Sequence, residues 1–329
     1  MQEIIESIRP VVETAQHVSI DDAALVRFAG SIREEELEDL ELSRETLVAS
    51  DDENDHIAFS FVLGALNFCF WGSRRERKAK GDGSQPHKWT IDVDGKRHDG
   101  SYALTHALLR GIREGYSLLD PRYLAELSRD DFAHIVRGAP EIPLFAERVA
   151  LLRVLGQVTC ERFGASFRMI FDEGGWDAVS IVRILVREFP EVFNDEVMYK
   201  GNTVKLYKRV QLVPSFVGND LARLGVVTTM VTGLEQLTGP ADYKVPHVLH
   251  ALGIMRYDRE LEQKIQEEVE LPAGSEEEVE IRALMIEAVE RIAKHTGIMP
   301  FKVQQVLWLR GQKPEFDKVP YHHTRTIWY

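Results

Sequence analysis

Residues 279–295 read VEIRALMIEAVERIAKH, and Ile281, Leu284, Met285, Ala288, Val289 and Ile292 recur at the three- and four-residue steps of a helix face before Gly297 ends the run. The pattern repeats elsewhere. Ala146 to Phe163 carries Val149, Leu152, Val154, Leu155 and Val158, and Trp176 to Phe189 carries Val179, Val182, Ile184, Leu185 and Val186 ahead of Pro190. Together these stretches predict a mainly α fold. One segment departs from it: Trp89-Thr90-Ile91-Asp92-Val93 alternates apolar and polar, Asp94-Gly95 supplies a turn, and Lys96 to His98 supplies a return strand. This predicts a small β-hairpin near residues 88–99. Arg74 to Gln85 is basic and glycine-containing and reads as an exposed loop. Its Gly81-Asp82-Gly83 is too short for a phosphate-binding fingerprint. The acidic runs Glu34 to Glu41 and Glu276 to Glu280 read as solvated helix faces. With no internal repeat and no low-complexity linker, a single helix-rich domain over 1–329 is expected, with a soft sub-boundary near 140, between Pro140 and Pro143.

Charge and cysteine usage narrow the function. A formal net charge of −13 repels phosphate backbones, so the expected partner is a small molecule and not DNA or RNA; a local basic pocket can still hold one phosphate. Cys69 and Cys160 stand far apart and form no CxxC pair, which argues against a disulfide scaffold, a zinc site or an iron–sulfur site. Met1 to Pro10 has acidic residues and no apolar stretch of a signal peptide, and no window has the length of a membrane span. A cytoplasmic monomer needing no metal and no cofactor is expected.

Chemistry concentrates in a few places. Pro240-Ala241-Asp242-Tyr243-Lys244-Val245-Pro246 sets a carboxylate ahead of an apolar run, and Pro246 fits only the first helical turn, so a helix is expected to start near Lys244 or Val245. Asp242 is then either a cap for that helix or a functional carboxylate kept ionised at the positive end of the helix dipole. Upstream, Gly201-Asn202-Thr203 offers a helix start that would put Lys205, Lys208 and Arg209 on one face, flanked by Tyr207 and Gln211, as a solvated face or an anion site. Asn67-Phe68-Cys69-Phe70-Trp71 places an amide among rings, which serves a core or a pocket for a flat heterocycle. His247 and His250 lack a third ligand nearby. Glu278, Glu280 and Arg282 are spaced for local ion pairs, and His322 and His323 read as packing or hydrogen-bonding residues. GxSxG, HExxH, Walker and GxGxxG patterns are all missing, which disfavours the hydrolases, NTPases and dinucleotide enzymes that use them.

In combination, Asn67 to Trp71, Tyr207 to Gln211, Ala241 to Pro246, Glu278 to Arg282 and the terminal Val319-Pro320-Tyr321-His322 resemble the queuosine salvage proteins, the queuosine 5′-phosphate N-glycosylase/hydrolases. The five motifs occur in the family's order from about residue 60 to the last residue. The resemblance implies an α-rich fold similar to helix-hairpin-helix DNA glycosylases. It also implies hydrolysis of the N-glycosidic bond of queuosine 5′-monophosphate to queuine and ribose 5-phosphate. Under it Asp242 stabilises or attacks the ribosyl cation, and Lys208 is its basic partner. Asn67, Phe70 and Trp71 lie at or near the base pocket. Lys205 and Arg209 join Lys208 as phosphate donors, and Pro240, Tyr243 and Gln304 contact substrate. Two positions depart from the family's pattern. Pro240 replaces a Phe of eukaryotic members, and Gln304 to Leu309 holds no acid where those members carry acids, so Gln304 or another carboxylate must read the base. A DNA or nucleobase glycosylase of related fold and a non-catalytic modified-nucleotide binder are the alternatives, and a binder has no need of Asp242.

Overall fold

The computed structural model describes residues 1–38, 48–72, 88–225, 230–316 and 319–329. The predicted basic loop Arg74 to Gln85 and the acidic run beyond Glu38 lie outside the described residues. Within them the chain is 58% helix in sixteen helices, joined by three two-stranded antiparallel sheets.

The periodic run from Val279 to His295 lies in the longest helix among the described residues, Glu276–Thr296. Ser275 accepts from the Glu278 amide at its start, and Gly297 closes it in the left-handed conformation at φ 74°. Polar members of this helix are buried along with the apolar ones, because it is packed by Gln2–Thr14, Asp22–Ala29, Lys244–Ala251 and Pro300–Arg310. A second central helix, Glu53–Leu66, buries nearly every side chain from His56 onward and packs along Lys208–Arg223. Gly64 permits that approach: a Cβ there would stand 2.8 Å from Val213 Cγ2. The predicted helices at 146–163 and 176–189 appear as Phe145–Arg162 and Ala178–Glu188. Core residues on both sides of 140, including Val136, Ile142 and Val149, belong to one continuous apolar cluster.

Thr90–Val93 pairs with Lys96–Asp99 through Asp94 and Gly95, both at positive φ, as the sequence predicts. A second hairpin overturns an expectation. Gly201-Asn202-Thr203 starts no helix; Lys200 and Gly201, at φ 47° and 84°, turn Glu196–Tyr199 into Asn202–Lys205. The helix begins only at Lys208, after Tyr207 at φ 44°. Lys205 is therefore on a strand and shares no helix face with Lys208 and Arg209. The third sheet joins Val18–Ile20 to Met255–Tyr257. No helix among the described residues is long and apolar enough to cross a membrane.

Candidate active site

Asp242 sits just ahead of the Lys244–Ala251 helix, where the sequence places it. Its Oδ1 accepts from the amides of Lys244 (3.0 Å) and Val245 (2.8 Å), so it caps the first turn with one oxygen. The loop behind it is fastened from the long helix: Arg282 Nε donates to the Ala241 carbonyl at 3.3 Å. The Arg282 guanidinium is itself held by Asp195 (2.5 Å) and Glu278 (3.4 Å) and lies over the Tyr329 ring. Glu280, expected in the same ion-pair group, turns away; it accepts from the amides of Gln16, His17 and Val18 and from the Tyr199 hydroxyl.

Asn67 ends the Glu53–Leu66 helix, whose terminal carbonyls need donors. Three cations supply them. Arg148 donates to Leu66, Phe68 and Cys69 carbonyls, Arg209 to those of Ala65 and Val192, and Lys208 Nζ to the Asn67 backbone oxygen (2.6 Å) and Oδ1 (3.2 Å). Both guanidiniums also lie against the Phe68 ring. The turn that carries Asn67 is thus built by charge buried beneath it.

Lys208 and Asp242 bias one another inside this enclosure. Burial brings the Lys208 ammonium down to about 7, against the pull of Asp242, with Arg209 and Arg282 adding to the depression. Burial likewise raises Asp242 above the ordinary carboxylate value, although Lys208 and the two amides work against it. This corrects the expectation that the helix end leaves Asp242 simply ionised: the capping amides favour the charged form, but desolvation outweighs them.

Two cavities share a wall made by Asn67, Ser101, Tyr102, Lys208, Asp242 and Trp308. The first is largely apolar, with Phe59, Leu63, Leu212, Phe216 and Phe301 on its sides and Gln304, Gln305, Asp220 and Arg223 as polar members. The second brings Lys88, Lys208 and Lys244 together with Phe70, Tyr243 and Tyr321 and with Gly100 and Ser101, the first residues of the Gly100–Arg113 helix. Asp99 and Asp242 line it too, and Lys88 pairs with Asp99 at 3.1 Å, so Lys208, Lys244 and the helix start are the donors it can offer an anion. Asp242 lies where an apolar chamber meets one lined by three lysines and Asp99.

Of the residues singled out in sequence, Asn67, Lys208, Asp242 and Gln304 line the first cavity, and Phe70 and Tyr243 line the second. Phe68, Lys244 and Tyr321 of the same motifs also line the second, whereas Trp71, Lys205, Arg209 and Pro240 line neither. Trp71 is buried and stacks on His323 at 4.3 Å. Lys205 pairs with Glu3 at 2.8 Å, and Arg209 is spent on buried carbonyls. Pro240 is buried and shapes the loop, its carbonyl accepting from the Asp242 amide at 3.0 Å. His247 packs near Tyr321 and Phe316, while His250 pairs with Glu262, so the two share no site. Lys88, Ser101, Tyr102, Asp220 and Arg223 were missed. For Asp220 a signal existed: Lys208, Leu212, Phe216 and Asp220 recur every four residues, a charge in phase with an apolar stripe.

A protein-family model described as queuosine salvage protein matches residues 47–329. The chain belongs to the queuosine salvage protein family. It is 38% identical to a protein of Sphaerobacter thermophilus over 99% of this chain and 97% of that relative, 28% identical to one of Bos taurus over 98% of each, and 32% identical to one of Dictyostelium discoideum over 82% of this chain and 77% of that relative. All three relatives are named queuosine 5′-phosphate N-glycosylase/hydrolase. The family match takes in Asn67, Lys208 and Asp242 and both cavities that meet at them.

Proposed function

We propose that this chain hydrolyses the N-glycosidic bond of queuosine 5′-phosphate and releases queuine and ribose 5-phosphate. The observation that carries the reading is the buried carboxylate of Asp242 at the junction of an apolar chamber and a lysine-lined one. A nucleotide divides the same way, into a flat base, a sugar and a phosphate. With the base in the apolar chamber and the phosphate toward Lys244 and the helix start, the anomeric carbon comes to Asp242.

As the C1′–N9 bond breaks, its electron pair leaves with the base and positive charge grows on the sugar. The Asp242 carboxylate stabilises that charge, and its two amide bonds hold it in place before the reaction begins. Water then adds to C1′ and its proton is released, ending on the base. Queuine is a 7-deazapurine with carbon in place of N7, so protonation there cannot assist departure. The electrostatic contribution at the sugar must be correspondingly large. Lys208 donates to the Asn67 backbone oxygen and Oδ1, and its charge balances the Asp242 carboxylate across the cavity wall.

On this reading the chain works over 1–329 as one glycosidase unit, related in fold to helix-hairpin-helix DNA glycosylases. It acts as a cytoplasmic monomer on a small molecule without nucleic acid; the net charge of −13 supports that choice against a DNA glycosylase. The test is incubation of purified protein with queuosine 5′-monophosphate. Free queuine detected by mass is the expected product, and intact nucleotide after prolonged incubation would overturn the reading in favour of a binder.

A further inference from the structure

Asp220 and Arg223 stand in the wall of the cavity that Asp242 also lines, but at the opposite end of the Lys208–Arg223 helix. Lys208, Leu212, Phe216 and Asp220 follow at four-residue steps down the cavity wall, a run of about 18 Å along the helix axis. That is much farther than a bare purine reaches from its glycosidic bond. The cavity is therefore long, apolar along its middle, and polar again at its far end.

The far-end carboxylate is well shielded. Asp220 and Arg223 side chains are only 15% and 12% exposed, and their closest charged atoms stand 3.6 Å apart, beyond ordinary hydrogen-bond length. A carboxylate has about four acceptor positions, and Arg223 at 3.6 Å together with the Ser60 hydroxyl leaves room for further donors. Burial pushes Asp220 up to about 6, opposed by Arg223, His56 and the Ser60 hydroxyl, so an incoming cation would complete its compensation.

We propose that Asp220 is a specificity-determining residue that accepts hydrogen bonds from a donor-rich side arm on the base, with Arg223 positioning its carboxylate. This rests on the function proposed above: the arm of queuine is an aminomethyl group, protonated near neutral pH, that carries a cyclopentenediol. Both the ammonium and the diol hydroxyls are donors suited to a buried carboxylate.

Calorimetric binding of two free bases tests it, queuine and 7-deazaguanine, the second lacking the arm. Asp220→Asn and Asp220→Ser should weaken queuine binding by at least about tenfold and leave 7-deazaguanine within about twofold. Thermal midpoints near wild type in either variant qualify it for the comparison, and the queuine-to-deazaguanine ratio corrects for any general loosening. Equal weakening of both bases, or unchanged queuine binding, would overturn the assignment of Asp220. If wild-type protein releases no queuine from queuosine 5′-monophosphate, the function itself falls, and that result is read separately from the binding ratio.

Discussion

Asp242 combines a role any helix start can use with one that few do. One carboxylate oxygen satisfies the amides of Lys244 and Val245, while burial beside Lys208 keeps the group poised against its charge. Asparagine caps helices as well as aspartate does, so Asp242→Asn should leave the thermal midpoint close to wild type. Turnover of queuosine 5′-monophosphate should drop by at least about a hundredfold. A folded Asn variant with ordinary turnover would remove Asp242 from the mechanism. The pH profile of kcat/KM carries a second expectation, because it reports groups of the free enzyme. Asp242, with its raised value, must be ionised, so activity is lost on the acid side earlier than for an ordinary aspartate. Lys208, lowered to about 7, must be charged, so activity is also lost as pH rises through that value. In Lys208→Met the alkaline limb near 7 should vanish from whatever activity remains; its persistence would assign that limb to another group.

The site is assembled by helix ends and the buried cations that serve them. Arg148, Arg209 and Lys208 satisfy carbonyls at the end of Glu53–Leu66, and Arg282 ties the loop before Asp242 to Asp195 and Glu278. Arg282→Met should cost about 3–5 kcal/mol, since it strands two buried carboxylates, and denaturant unfolding measures that loss. A change under 1 kcal/mol would show that Asp195 and Glu278 find other partners. Elements with strong local signals were legible in advance: Val279 to His295 by its periodicity, and Thr90–Asp99 by Asp94-Gly95. The Glu196–Lys205 hairpin was not. Asn202 and Thr203 are good cap residues, and the turn is made by Lys200 at positive φ, a conformation no propensity assigns to lysine. Arg209 was misplaced for a different reason. A cluster of basic residues reads as surface, and what buries this one is a pair of carbonyls at Ala65 and Val192 that only tertiary structure brings to it.

Across the whole chain the charge is strongly negative, yet three lysines from separate segments, Lys88, Lys208 and Lys244, gather in one chamber beside Asp242. Asp242, Lys208 and Asn67, which line both cavities, were legible because they sit in the motifs that carry the family resemblance. Lys88 and Ser101 were not legible, because they line the second cavity only once the 90–99 hairpin folds into the Gly100–Arg113 helix. If this chamber holds the 5′-phosphate, Lys244→Met should raise KM for the nucleotide about tenfold or more while kcat/KM for the dephosphorylated nucleoside stays near wild type. Equal effects on both substrates would place the phosphate elsewhere. The depressed Lys208 ammonium has one more consequence, which concerns protons in solution and not the bond being broken. A phosphate entering the chamber favours the charged lysine, so at and above pH 7 the enzyme should take up a fraction of a proton from buffer as it binds ligand. Titration calorimetry with ribose 5-phosphate in buffers of contrasting ionisation enthalpy reads that uptake as a slope, which should flatten in Lys208→Met and shrink below pH 6, where the lysine is already charged.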